Sequence, residues 1–263
     1  MDDLRRIPVP GLDEARSARH ERSALPLAAL SVLLMGLLTA GWWYEFRAET
    51  THYATAMGER RSVTLADGSR VELNTSTRLA VHWSRWSRKV ELESGEALFT
   101  VTHDPDHPFV VETGPLCIRD VGTRFDVRKQ PENIAIAVLE GEVELEDERD
   151  MKTERLKAGD RSVYRETTGL GPKERADAEQ IEAWTQGRLV FKHTPLAEVA
   201  AELERYHPVR FVFAEPAVGR EILSGTFDVG DLDPFLNAVG KILPVRAERS
   251  SDSLIVLRRA KGK

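Results

Sequence analysis

The chain has 263 residues, with 37 Lys and Arg against 43 Asp and Glu and a net charge of −6. That balance excludes the basic footprint of a nucleic-acid binder, and the length suits about two folded domains. Cys117 is the sole cysteine, which excludes an intramolecular disulfide in any redox compartment.

Residues 1–23 carry Arg5, Arg6, Arg16, Arg19 and Arg22 beside balancing acids, and Pro8, Pro10 and Gly11 break any helix in the first half. An uncharged run follows, Ala24–Trp43, reading ALPLAALSVLLMGLLTAGWW. As a helix rising 1.5 Å per residue it matches the roughly 30 Å hydrocarbon core of a bilayer. The arginines before it face only Arg47 between the run and Arg60, so the positive-inside rule places the amino terminus in the cytoplasm. Trp42, Trp43, Tyr44 and Phe46 form an aromatic anchor at the far interface. A cleaved signal peptide is the rival reading. The run is long for one, however, and ends in Trp-Trp-Tyr rather than a small-x-small cleavage site. The expectation is a single-pass membrane protein with a tail over 1–23, a transmembrane helix over 24–44 and its bulk outside.

From 57 to 165 the chain alternates in short runs separated by turn residues. SVTL (62–65) and RVEL (70–73) flank Asp67-Gly68, a hairpin signal. RLAVHW (78–83), RKVELE (88–93), ALFTVT (97–102), PFVVET (108–113), TRFDVR (123–128), IAIAVL (134–139), EVELE (142–146) and RSVY (161–164) follow. No segment sustains a 3.6-residue period, so an all-β domain is predicted: a sandwich, a roll or a solenoid. Residues 166–186, with Gly169, Gly171 and Pro172, read as a linker running into a short helix.

An internal repeat occupies 187–259. RLVFKHTPLAEVAAELERYHPVRF (188–211) aligns without gaps on SGTFDVGDLDPFLNAVGKILPVRA (224–247), pairing Phe191 with Phe227 and Leu196 with Leu232. Leu196, Val199, Ala200, Leu203 and Tyr206 repeat at helical spacing, as do Leu232, Phe235, Leu236, Val239 and Ile242. Each repeat therefore reads as strand, amphipathic helix and strand. Thr194-Pro195 and Asp231 stand at the expected N-caps, and LIVLR (254–258) supplies a last strand. The prediction is a small α+β domain of two βαβ repeats, with the helices on one sheet.

Chemistry-bearing residues are sparse. His103-Asp104-Pro105-Asp106-His107 places two His at i and i+4, but Pro105 and Pro108 disfavour the helix that spacing needs, so a solvated turn is expected. Cys117, between Leu116 and Ile118, reads as a buried small hydrophobe. The pairs Glu140 and Glu142, and Asp147 and Glu148, read as solvent-facing. No phosphate loop, nucleophile elbow or zinc spacing is present. The expectation is no catalytic residue, no cofactor and no metal.

Five segments in order carry a family resemblance. LADGSRVELNTSTRLAV (65–81), RKVELESGEALFTV (88–101) with Pro-Phe at 108–109, VGTRFDV (121–127), VLEGEVEL (138–145) and WTQGRLVFKHTPLAEVAAELERY (184–206) resemble the FecR family of transmembrane sigma-factor regulators. The resemblance implies an inner-membrane protein whose bulk is periplasmic. It also implies a relay from a TonB-dependent outer-membrane receptor to an extracytoplasmic-function sigma factor, in iron or nutrient uptake. The carboxy-terminal part is similar to the short signalling domain of such receptors and of secretins, so 187–259 is expected to face the receptor. Tail residues 1–23 are shorter than the family's sigma-binding part. The alternative is therefore a membrane-anchored periplasmic interaction module without direct sigma-factor binding. Within the motifs, Gly68, Gly95 and Gly141 read as turn residues, Gly122 as permitting a tight start to a strand, and Phe99, Phe109 and Phe125 as core.

Overall fold

The computed structural model describes residues 35–36, 49–84 and 87–260. The chain divides into two units, Met1–Ala48 and Glu49–Lys263. The tail and all of the apolar run except Met35 and Gly36 lie outside the described residues, among which no helix is long and apolar enough to cross a membrane.

The unit Glu49–Lys263 begins with one curled sheet of 14 strands. The hairpin at Asp67-Gly68 forms between β2 (Arg61–Thr64) and β3 (Arg70–Leu73), with Gly68 at φ +83°. β1 (Glu49–Ala54) pairs with β4 (Arg78–Ser84), a strand the sequence did not mark because only Tyr53 of it packs on the core.

The organising strand is β5 (Ser87–Thr100), which absorbs two segments that read as separate strands with a Ser-Gly turn between them. Residues 87–94 pair with β4 on one side, and 88–91 run parallel to β6 (Phe109–Thr113) on the other. Beyond the bend, 97–100 pair with β3 and 95–100 with β8 (Arg124–Lys129). Glu93 is the unmatched residue of a bulge opposite Arg78 and Leu79, and such bulges bend a strand. Gly95 follows at φ +91°, and a Cβ there would sit 2.5 Å from the Thr77 Cα. Gly95 is thus a bend inside a strand, not a turn between two. The sheet curls because a single strand serves both halves. Of the three architectures the sequence allowed, this is the roll.

β7 (Leu116–Asp120), β9 (Asn133–Glu140), β10 (Glu142–Asp147), β11 (Lys152–Lys157) and β12 (Asp160–Arg165) extend the sheet in the order β11-β10-β7-β6-β5-β8-β9-β12. The short strands β13 (Gly169–Leu170) and β14 (Glu174–Arg175) pair with β12. Both halves fill one core. Phe99 stacks on Phe125 with centroids 5.1 Å apart and meets Phe109 at 6.1 Å, and all three are fully buried. Gly122 lies against the backbone of His103, where a Cβ would come within 2.6 Å of the Cα.

Helix α1 (Ala178–Glu182), capped by Asp177, and a 3₁₀ turn (Ala183–Gln186) lead to the repeat region. There, β15 (Arg188–Pro195), α2 (Leu196–Glu204) and β16 (Arg210–Phe213) are followed by α3 (Pro216–Gly219). The second repeat comprises β17 (Ile222–Asp228), α4 (Leu232–Ile242), β18 (Val245–Ser251) and β19 (Leu254–Arg259). The strands form two sheets rather than the one expected. β15 pairs antiparallel with β17, while β19 lies between β16, to which it is parallel, and β18, to which it is antiparallel. The matching strands of the repeats thus pair or share a neighbour, and the apolar helix stripes fill the core they enclose.

Leu196, Val199, Ala200 and Leu203 are buried, as are Leu232, Phe235 and Val239, whereas Ile242 at the end of its helix is exposed. The Asp231 carboxylate accepts from Asp233 N at 3.0 Å and caps α4. Thr194 does not cap α2. It pairs with Leu223 within β15, so the first free N–H of the helix, at Leu196, donates instead to the Glu221 carbonyl at 2.8 Å.

Candidate functional site

The residues brought together most unexpectedly are charged ones, where the curled sheet meets the carboxy-terminal end of α2. Asn74, at the end of β3, and Glu96, just past the bend of β5, are both buried. Asn74 Nδ2 donates to Glu96 Oε2 at 2.7 Å and to the Tyr206 hydroxyl at 2.8 Å. Arg205 Nη2 donates to the same carboxylate oxygen at 2.5 Å, and its Nη1 pairs with Glu202. Arg128 of β8 reaches Glu202 at 2.7 Å. Thr75 Oγ1 donates to the Arg205 carbonyl at 2.9 Å. Arg60 Nη1 donates to the Trp184 carbonyl at 2.7 Å, and Arg124 pairs with Glu182 at 3.0 Å. Two hydrophobic cores are thus joined by a polar junction.

The electrostatics follow from burial. Burial alone would raise the Glu96 carboxyl, but the Arg205 and Arg128 guanidinium groups and the Asn74 amide hold it below the usual carboxylate range. Burial raises the Tyr206 phenol, with the Glu96 carboxylate adding to it. Asp126 on β8 goes the other way. Burial, then the neighbouring Glu96 carboxylate, push it well above the usual range, against opposition from Arg128 and Arg205. Its Oδ1 and the Trp184 indole N–H are both buried without a hydrogen bond of ordinary geometry.

Asp126 therefore carries a signed pH prediction. A carboxyl whose folded pKa exceeds its unfolded value of about 4 takes up a proton on folding, so its stability contribution is lost as pH rises through the folded pKa. Asp126→Asn removes that loss. Urea unfolding of variant and wild type is expected to show the variant gaining on wild type as pH rises from about 4. A gap constant with pH would mean that Asp126 is ionised in the folded protein.

The other polar clusters are structural. Asp104 accepts from the backbone of Asp106 and His107, and its Oδ2 lies 3.1 Å from His107 Nδ1, so the His103–His107 segment is a turn tied to itself. Hydrogen bonding to His107 holds the Asp104 carboxyl low. Among the described residues no group of three or more His, Cys, Asp or Glu is placed to hold a metal ion. Cys117 is buried, and burial pushes its thiol up. Glu140 and Glu148 are exposed, but Asp147 is buried, correcting its solvent-facing reading. Its Oδ1 accepts from Arg149 N at 3.0 Å and fixes the β10–β11 turn.

Of the junction residues only Tyr206 was singled out from the sequence, as part of an apolar helix stripe, although Asn74, Glu96 and Arg205 also lie inside the motif segments 65–81, 88–101 and 184–206. The available signal was a polar residue at a position where a motif is otherwise apolar, as in Leu73-Asn74 and Gly95-Glu96-Ala97.

Comparison with known proteins fits this geometry. Residues 51–144 match the family described as FecR protein, and residues 188–256 match the family described as FecR, C-terminal. Two crystal structures of a candidate anti-sigma factor from Parabacteroides distasonis are similar to the chain at 30% identity. One superposes with a TM-score of 0.68 over 80% of this chain and 100% of its own, the other with 0.67 over 81% and 100%. No curated protein matches the sequence.

Proposed function

The chain belongs to the FecR family, and from that membership we propose that this FecR-type regulator relays a periplasmic signal across the inner membrane to an extracytoplasmic-function sigma factor. The observation that carries the reading is the presence, in order on one chain, of matches to both FecR parts, in a fold shared with a candidate anti-sigma factor. In this scheme Ala24–Trp43 spans the membrane, residues 1–23 meet the sigma factor in the cytoplasm, and everything from Glu49 onward is periplasmic. The relay works by protein contact rather than by catalysis.

The proposed periplasmic partner is the signalling domain of a TonB-dependent outer-membrane receptor, in iron or nutrient uptake. The repeat region is the surface that meets it. β16 and β18 are the outer strands of their sheet, and open strand edges offer unpaired main-chain donors and acceptors to an added strand. Co-purification of the full-length chain from membranes, with both soluble compartments retained, tests the scheme. A sigma factor and a receptor signalling domain are expected together. Recovery of the receptor domain alone would instead favour a membrane-anchored interaction module that does not bind a sigma factor.

A further inference from the structure

Beside the junction lies a cavity of 160 Å³, opening between the β3–β4 turn, the bend of β5, the end of β8 and the end of α2. Three cationic side chains line it, Arg128, Lys129 and Arg205, and no acidic residue does. The adjoining carboxylates account for two of the three charges, since Arg205 pairs with Glu96 and Glu202 and Arg128 with Glu202. Lys129 has only a long hydrogen bond, 3.4 Å, to the Leu92 carbonyl. Arg128 Nε is a buried N–H without an acceptor. The solvent-exposed Ser76 and the half-buried Gln130 also stand on the wall, with no side-chain hydrogen bond to protein among the described residues. Ser76 stands there at φ +51°, a conformation that costs a non-glycine residue energy and collects at functional sites.

We propose that this cavity binds a small oxyanion, a phosphate or a carboxylate group, held by Lys129, Ser76 and Gln130 against the guanidinium groups of Arg128 and Arg205. The chemistry is that of charge-assisted donors converging on a site with an uncompensated positive charge. The space exceeds the roughly 10–15 Å³ that a single water needs on the same measure, so it is roomy enough for a small anion. An anion there would touch β8 of the curled sheet and Arg205, just past the end of α2, at once. Occupancy would therefore add a bridge to the same junction that Glu96 and Arg205 close. The site is independent of any protein partner, so it goes beyond the relay scheme.

The test is calorimetric titration and thermal denaturation of the full-length chain in detergent, with potassium phosphate and potassium acetate compared with potassium chloride at constant ionic strength. The expected result is saturable binding and a rise in Tm with phosphate, with acetate or with both, and no such response to chloride. Phosphate alone would assign a tetrahedral ligand, and acetate alone a carboxylate. Lys129→Met and Gln130→Leu, which spare the Glu96–Arg205 pair, are each expected to weaken binding about tenfold or more, with the anion-free Tm little changed. A response equal to that in chloride, or binding that survives both substitutions at full strength, would overturn the proposal.

Discussion

Replacing Arg205 by alanine is expected to destabilise the folded protein by about 3–5 kcal/mol at neutral pH, the cost of leaving a buried carboxylate without its counter-charge. Glu96 has a side-chain exposure of 8%, and Arg205 Nη2 meets it at 2.5 Å, leaving Asn74 as the remaining close donor after truncation. The substitution also removes the pairing with Glu202 and the cation stacked 5.6 Å from the Tyr206 ring centre. The sign of the pH effect is fixed by Glu96. Its lowered folded pKa adds stability above the unfolded value of about 4.3, and that contribution is lost as pH falls through the folded pKa. The damage from Arg205→Ala should therefore shrink in acid. Urea unfolding of Arg205→Ala, Glu96→Leu and the double variant measures the pair directly, and the double variant is expected to be milder than the sum by up to about 3 kcal/mol. Strict additivity would show that the pair contributes nothing of its own.

The second large effect is expected at Arg88, whose side chain is 5% exposed. Its Nε donates to the His107 carbonyl at 2.6 Å, Nη1 to Asp67 Oδ2 and the Thr102 carbonyl at 2.9 Å each, and Nη2 to the Asp104 carbonyl at 3.1 Å. One guanidinium thus ties the β2–β3 hairpin to the loop after β5, with the Phe109 ring 5.8 Å away. Arg88→Ala removes the counter-charge of Asp67, whose carboxylate keeps only the Ser69 N–H and hydroxyl, and takes the guanidinium donors from three carbonyls at once, a loss of about 3–5 kcal/mol. Arg88→Lys should recover only part of it, because an ammonium cannot present donors in the guanidinium fork. The midpoint of urea unfolding is the readout, with the slope unchanged if the fold is intact. A loss under about 1 kcal/mol would mean that water replaces the network without difficulty.

These two residues also mark what a sequence can reveal. Alternation located most strands because one face of each is buried, as in Val143 and Leu145 of β10. It failed for β11, where Leu156 is the single buried residue, because a strand with one core contact has no period to read. Ser94-Gly95 carries local turn chemistry, but pairing on both sides with β4, β3 and β8 keeps the chain extended there, so the glycine serves a bend. The repeat fixed the order of strands and helices but not their division into two sheets, which depends on which strands pair. Nothing local to Arg88 or Arg205 distinguishes either from a surface charge. Arg205 stands 109 residues from Glu96, and only the fold shows that each charge is buried against its partner.

In the proposed relay, one chain connects partners on the two sides of the inner membrane. Co-purification of the full-length chain from membranes, with cytoplasmic and periplasmic proteins retained, tests that relay directly. The predicted result is recovery of a sigma factor and a receptor signalling domain together. Recovery of the receptor domain without a sigma factor, or of neither, from membranes in which the chain itself is intact and inserted, would contradict the relay.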